Sequence, residues 1–383
     1  MNISNILMIG FLIALSLTIL IFRKKFVFHS FGKIIYFGMY KTKVGLKLMD
    51  KWSSKYPRIL TRLCYLAIGI GFIGMVVVVF DLIKSGYQIL TGTSTLSVGL
   101  VLPVEAKGVF YVPFLYWIIA IAVIVVIHEF SHGLIARLHK IKVRSSGVAF
   151  LGVIIPLIPA AFVEPDEKQL RKASRFKQLS VYAAGPFANI VFGFACLGLF
   201  LLVLNPLTAS IYDYEGVQVK DFMGVESPAE ISGMAAGEII TQINDQEIKN
   251  TEDFLASIEG AKPGEVAEIK TRENSYSVLL EQDPAEKDAF LGVWVETEKT
   301  MKKENLFSYF IVWVTDLFYW LFLLNLGVGL FNLVPIGPID GGRMLQTVLE
   351  KVMHSKHATR VWHTVSAVVL VIILSNVIYA FVA

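Results

Sequence analysis

Six apolar runs constrain this chain more than any other feature. They lie at 5–22, 63–83, 111–138, 179–204, 306–333 and 361–381. Each is about the length a helix needs to cross a bilayer, roughly 20 residues. Lipid offers no partner for a backbone N–H or C=O, so a run of this kind has to become a helix. The fold class that follows is a polytopic α-helical membrane protein of about six transmembrane helices. Only 17% of the residues are charged and 55% are hydrophobic, against about 25% charge in soluble chains.

A seventh run, 147–163, does not fit the set. Pro156 and Pro159 interrupt it, and it is rich in Val, Ile and Gly. It is expected as a re-entrant, β-like segment or a hairpin dipping into the membrane, a form tolerated only where protein or a cavity satisfies the backbone. The first run is followed by Arg23-Lys24-Lys25. A cleavable leader carries its charge before the apolar core, so this run is expected as a retained span.

The basic residues divide the loops. Segments 23–62, 137–144, 168–177 and 343–360 are rich in Lys and Arg, whereas 84–110 holds only Lys84 and Lys107. The positive-inside rule puts the four basic segments in the cytosol. Both termini and the stretch 205–305 then lie outside. The two cysteines, Cys64 and Cys196, fall in apolar stretches, which implies neither a disulfide framework nor a Cys-rich zinc site. Membrane lipid is an expected partner and nucleic acid is not.

Between the fourth and fifth runs the composition becomes that of a soluble domain. The expected organisation is an N-terminal two-span region (1–110), a membrane core (111–205), an inserted domain (206–300) and a C-terminal membrane core (301–383). The insert contains Ser227-Pro228-Ala229, Gly233-Met234 and Gly237-Glu238-Ile239-Ile240-Thr241-Gln242-Ile243-Asn244. Turn glycines alternate there with a strand that runs into Asn-Asp. A helix is expected over 251–258, capped by Thr251. The pattern resembles the PDZ domains of bacterial and archaeal proteases, which implies an α+β PDZ-like insert that binds a chain end by strand addition. Tyr214, Gly216 and Val217, with Glu215, form the candidate carboxylate-binding loop. A spacer or lid without a peptide ligand is the other reading.

The third run carries the chemistry. It contains His128-Glu129-Phe130-Ser131-His132. Residues four apart on a helix share a face, so both imidazoles can reach one metal at about 2.0–2.1 Å. Glu129 sits beside them as a candidate general base. Ionisable groups in a membrane cost on the order of 3 kcal/mol each and mark function by default. A catalytic zinc takes three protein ligands and leaves one position open. His139, at the basic end of the run, is expected to be a solvated interface residue, so a distant side chain must complete the site.

A later segment reads Asn332-Leu333-Val334-Pro335-Ile336-Gly337-Pro338-Ile339-Asp340-Gly341-Gly342-Arg343. With His-Glu-x-x-His, it makes the chain resemble the site-2 proteases, which pair such a helix with an Asn-Pro…Asp-Gly motif. Ile339 stands where Leu is usual, and Gly337 where Pro is common. The resemblance implies a Zn²⁺ held by His128, His132 and Asp340, with Glu129 as catalytic base. It implies cleavage of transmembrane or membrane-anchored protein substrates. Ala184-Gly185-Pro186-Phe187-Ala188-Asn189 resembles the family's Gly-Pro-x-x-Asn segment. Asn189 then either contacts substrate or joins helices. The segment 147–163 is the candidate cradle for an unwound substrate, with Gly147 and Gly152 as candidate binding positions. Asp316 is assigned no catalytic role. The alternative function is a PDZ-bearing membrane adaptor with a structural or inactive metal site.

Overall fold

The computed structural model describes residues 3–31, 35–91, 99–152, 156–224, 226–282 and 289–382. The chain begins with α1 (Ile3–Ile21), β1 (Val27–Phe31), β2 (Ile35–Thr42), α2 (Leu46–Lys55) and α3 (Pro57–Thr91). It continues through β3 (Leu100–Leu102), β4 (Val109–Tyr111), α4 (Phe114–Leu138), β5 (Val143–Gly152), β6 (Pro156–Pro165), α5 (Glu167–Lys172) and α6 (Arg175–Leu199). A π-helical turn at Phe200–Leu204 and α7 (Asn205–Ile211) lead into β7 (Tyr212–Phe222), α8 (Pro228–Ile231), β8 (Ile239–Ile243) and β9 (Gln246–Glu247). Then come α9 (Thr251–Ile258), β10 (Val266–Thr271), β11 (Ser275–Leu279), β12 (Glu281–Gln282), β13 (Ala289–Phe290) and β14 (Val293–Met301). The last elements are α10 (Leu306–Phe331), α11 (Asp340–Val352) and α12 (Ser355–Val382). Contacts divide the chain into two compact units, Met1–Phe200 with Asp316–Ala383, and Leu201–Thr315.

Among the described residues, six helices are long and apolar enough to cross a membrane: α1, α3, α4, the run Arg175–Ile211, α10 and α12. They coincide with the six apolar runs. Large apolar side chains stand exposed along them, among them Ile13, Ile73, Phe80 and Leu374, a surface that suits lipid and not water. The inner faces are different. Cys64 and Ala67 of α3, Ala136 of α4, and Ala183 and Ala184 of α6 pack around Leu333 and Met344. Small side chains let these helices approach closely where no hydrophobic effect drives them together.

The segment 147–163 is a hairpin, β5 and β6, and belongs to a four-stranded sheet in the order β1-β2-β5-β6. Residues 153–155 lie outside the described residues. The two other strands come from the basic loop 23–62. Their sequence carries no clear period-two alternation, so nothing in it announced a sheet. The expected binding positions Gly147 and Gly152 need correction. Both lie on β5, which pairs with β2 on one side and β6 on the other, so neither has a free edge to offer. The terminal strands are β1 and β6, and β6 is the one whose Val163 N–H reaches α4 at Glu129. Pro159 sits on β6 at the same outward-facing parity as Ala161 and Val163, where the missing N–H removes no ladder bond.

The second unit, Leu201–Thr315, is wider at both ends than the expected 206–300. Its main sheet runs β11-β10-β8-β7-β14, with β9 paired to β8. Along β10, Ala267, Ile269 and Thr271 point inward and alternate with exposed residues, as a half-buried strand requires. Ala267 and Ile269 meet Val217, Ile240, Ile243 and Val278 in one apolar core. Two expectations change here. Asn250, not Thr251, caps α9, its side chain accepting from Asp253 N. Tyr214, Gly216 and Val217 form no loop: they lie within β7, paired to β14, and Val217 pairs also with Ile240 of β8. Val217 is fully buried. The open edges of this sheet are β11 and β14.

Candidate metal centre

Three elements, far apart in sequence, build the site within the first unit. Helix α4 supplies His128 and His132 on one face. Their Nε2 atoms lie 3.0 Å apart. Asp340, the first residue of α11, brings Oδ2 to 3.1 Å from His128 Nε2 and 3.2 Å from His132 Nε2. Ligand atoms at 2.0–2.1 Å from a tetrahedral zinc would be about 3.3 Å apart, so the triangle fits the ion closely. Among the described residues this is the one group of three or more His, Cys, Asp or Glu close enough to share a metal. Three lone-pair donors facing each other repel unless a cation lies between them, and all three side chains are largely buried.

Each ligand is held from behind. His132 Nδ1 lies 2.6 Å from the carbonyl oxygen of Val181. Donating there leaves Nε2 free for the metal. That carbonyl is on α6, one residue ahead of Tyr182, whose own carbonyl loses its usual helical partner to Pro186. His128 Nδ1 lies 3.1 Å from the carboxamide of Asn189, also on α6. The nearest carboxamide atom is Nδ2; with Nε2 turned to a metal, Nδ1 would carry the proton and the carboxamide would flip to present its oxygen, which otherwise has no partner. Asn189 is fully buried. It therefore stands behind a ligand, an arrangement that spacing alone could not reveal.

Two glycine positions permit this geometry. A Cβ on Gly185 would meet His132 Nε2 and come within 2.7 Å of His128 Nε2, so the α6 backbone itself forms a wall of the site. A Cβ on Gly341 would collide with the carbonyl oxygen of Leu333, and Gly341 N donates to Asn332 O at 2.7 Å. The Asn…Asp-Gly motif thus folds α11 back onto the end of α10 by main-chain contact and delivers Asp340.

Glu129 touches the sheet. Its Oε2 accepts from Val163 N at 2.9 Å, an outward-facing N–H of the edge strand β6. His139 is not solvated as expected. It is half-buried beside Phe176, ring centroids 5.7 Å apart, and takes no part in the metal group. Asp316, toward the other end of the spans, lies 3.3 Å from the hydroxyl of Tyr116.

The sequence profile of peptidase family M50 matches residues 116–375. The chain belongs to peptidase family M50. The match covers His128, Glu129, His132, Asn189 and Asp340, and M50 is the site-2 protease family. Among similar proteins is the uncharacterized protein MJ0971 of Methanocaldococcus jannaschii, 29% identical over 312 residues, covering 80% of this chain and 75% of that one. Zinc metalloprotease RasP of Oceanobacillus iheyensis is 25% identical over 245 residues. Its counterpart in Shouchella clausii is 24% identical over 237. These two M50 matches span about half of each chain concerned. The PDZ domain of the SdrC-like protein of Listeria monocytogenes covers 21% of this chain and 88% of its own, at 23% identity and a TM-score of 0.20.

Proposed function

We propose that this M50 chain is an intramembrane zinc metalloprotease, cutting transmembrane or membrane-anchored proteins in regulated intramembrane proteolysis. The observation that carries the reading is the convergence of His128, His132 and Asp340 beside a Glu129 anchored to an open strand edge. A closed structural site would need neither a base nor an edge.

His128, His132 and Asp340 would hold the ion. Bound zinc polarises a carbonyl oxygen and makes water nucleophilic near neutral pH. Glu129 is held at Oε2 by Val163, so Oε1 is the atom that takes a proton from the attacking water and passes it to the leaving amide nitrogen. Val181 and Asn189 keep the imidazoles oriented throughout. A transmembrane helix hides its own amides, so a stretch of substrate must unwind. The outer edge of β6 is suited to receive it as an added strand, with the N–H and C=O of Ala161 facing outward at the same parity as Val163.

In the second unit, the edge that suits a chain end is β14, not β7. Helix α9 lies beside it: Thr251 N donates to Thr297 Oγ1 at 3.0 Å. This edge would dock a peptide end of a partner protein as in PDZ domains. The distribution of Lys and Arg supports a metal centre toward the cytosolic side, with the second unit and both termini outside, and the similarity to a Methanocaldococcus jannaschii protein suits a prokaryotic plasma membrane.

The test is cleavage of a transmembrane substrate in liposomes by the parent and by Glu129→Gln, and by chelator-treated enzyme before and after zinc is restored. Glu129→Gln should lose cleavage by about 10²–10⁴-fold while keeping its zinc. Equal cleavage by the variant would remove Glu129 from the mechanism. Zinc bound with neither protein cutting any substrate offered would favour an adaptor.

A further inference from the structure

Beside Asp340 the first unit contains a cavity of about 620 Å³ that the steps above do not use. It lies within the 300–1,000 Å³ range typical of pockets that enclose a ligand. Two chain connections place it next to the metal centre. Gly337 and Pro338 line it immediately ahead of Asp340, and Tyr182 lines it immediately after Val181, whose carbonyl serves His132.

The lining is unevenly charged. Lys168, Arg171 and Arg343 face it, and so do Glu167 and Glu350. Glu350 is already paired, at 3.1 Å, with Arg175, which lies outside the lining. Glu167 is shared between Arg343 at 3.3 Å and Arg171 at 3.9 Å. One carboxylate therefore serves two guanidiniums, and Lys168 makes no ion pair among the described residues. Arg343 lies over the ring of Tyr182, 5.7 Å from its centroid, which fixes its guanidinium in place. The neutral donors of the lining are engaged internally: Gln178 Nε2 with the carbonyls of Arg171 and Ala173, Gln346 Nε2 with Glu350, Thr347 Oγ1 with Arg343 O and Trp362 Nε1 with Gly342 O, so charge is what the lining has to offer.

We propose that this cavity binds an acidic segment of the substrate flanking its membrane span, through Asp or Glu carboxylates set against Lys168, Arg171 and Arg343. The proposal rests on the protease reading for what the bound segment is. Excess positive charge with bidentate donors selects carboxylates. The position beside Asp340 puts the cavity where chain leaving the metal centre on this face would pass. A lipid phosphate is the competing occupant.

The test uses full-length Glu129→Gln protein in nanodiscs of neutral phosphatidylcholine. Two labelled peptides, identical but for a Glu-Asp-Glu or a Lys-Lys-Lys segment, are titrated by fluorescence anisotropy. The acidic peptide should bind roughly fivefold more tightly, and the double variant Lys168→Glu/Arg171→Glu should invert that order. Parent enzyme acting on substrates with the same two flanks should show the preference in KM, with kcat within about twofold. Equal binding of the two peptides, or a preference that survives the charge reversal, overturns the proposal. So does loss of acidic-peptide binding in nanodiscs containing phosphatidylglycerol, which would assign the cavity to lipid. A charge-dependent peptide preference in a zinc-loaded protein that cuts nothing would uphold the cavity and sink the protease reading instead.

Discussion

The two sheets of this molecule share a plan and differ in what stands at their edge. In the first unit β6 is outermost, and Val163 on it donates to Glu129. In the second unit β14 is outermost, and its neighbour is a helix that carries no reacting group, α9, tied to it by Thr251 and Thr297. On the proposed reading, one edge presents a strand to chemistry and the other only to docking. A sheet edge is a ready template for an added chain in either case. What differs is whether Glu129 and the His128–His132–Asp340 group lie beside it.

The sharpest way to break that contrast is to take the metal centre away from β6. Gly185→Ala puts a methyl group where the two imidazoles meet. Zinc affinity should fall more than about 100-fold and cleavage to background, as read by metal content after dialysis and by product formation. Peptide binding at the second unit should not change. If Gly185→Ala keeps its zinc, the wall described here is wrong.

The next largest effect tests the β6 edge itself. Ala161→Pro removes one outward N–H while keeping a residue type already present on that edge at Pro159. Losing one hydrogen bond to an added strand should raise KM about tenfold with the zinc content intact. An unchanged KM would mean that substrate does not pair there. A smaller effect is expected across the molecule. Thr297→Val frees α9 from β14, and affinity for a peptide end should drop about fivefold without a change in kcat.

Acid separates the units most gently. Burial, then the charge of Lys177, push the pKa of His139 down to about 4. Its unfolded value is 6.5, so the unfolded chain binds the proton first. Stability of the first unit should therefore fall as pH drops from about 6.5 toward 4, and His139→Phe should flatten that slope. Glu238 in the second unit has the same sign but responds at lower pH. Burial would raise its pKa, but hydrogen bonds from Tyr276, Thr271 and Ala235 N hold it below 4.5. Its contribution is complete above that value and is lost only as pH falls through the lower folded pKa. Intrinsic fluorescence of the two units across pH 7 to 3 would show the first responding before the second.

The spans and the His128–His132–Asp340 group were legible in the sequence because their causes are local or nearly so. A long apolar run leaves a helix no alternative, and His128 and His132 share a face by helical spacing alone. Asp340 was reached through a motif, and the structure supplies the reason for it in the main-chain contact at Gly341. The sheet partners were not legible. β1 and β2 lack a clear alternation, and which strand ends a sheet depends on pairings between distant segments. That is why Gly147, Gly152, Tyr214, Gly216 and Val217, expected as binding positions, fall on strands with a neighbour on each side. Asn189 was found by motif, but its place behind His128 is a matter of how α4 and α6 cross.

The order of the ligands along the chain has a consequence for how the molecule comes into being. His128 and His132 emerge early from the ribosome, and the whole second unit follows them. Asp340 appears only after that unit, and domains generally fold as units while the chain is still growing. A half-made chain therefore holds two vertices of the triangle and no third. On the proposed reading, the chain would gain its activity only when α11 arrives.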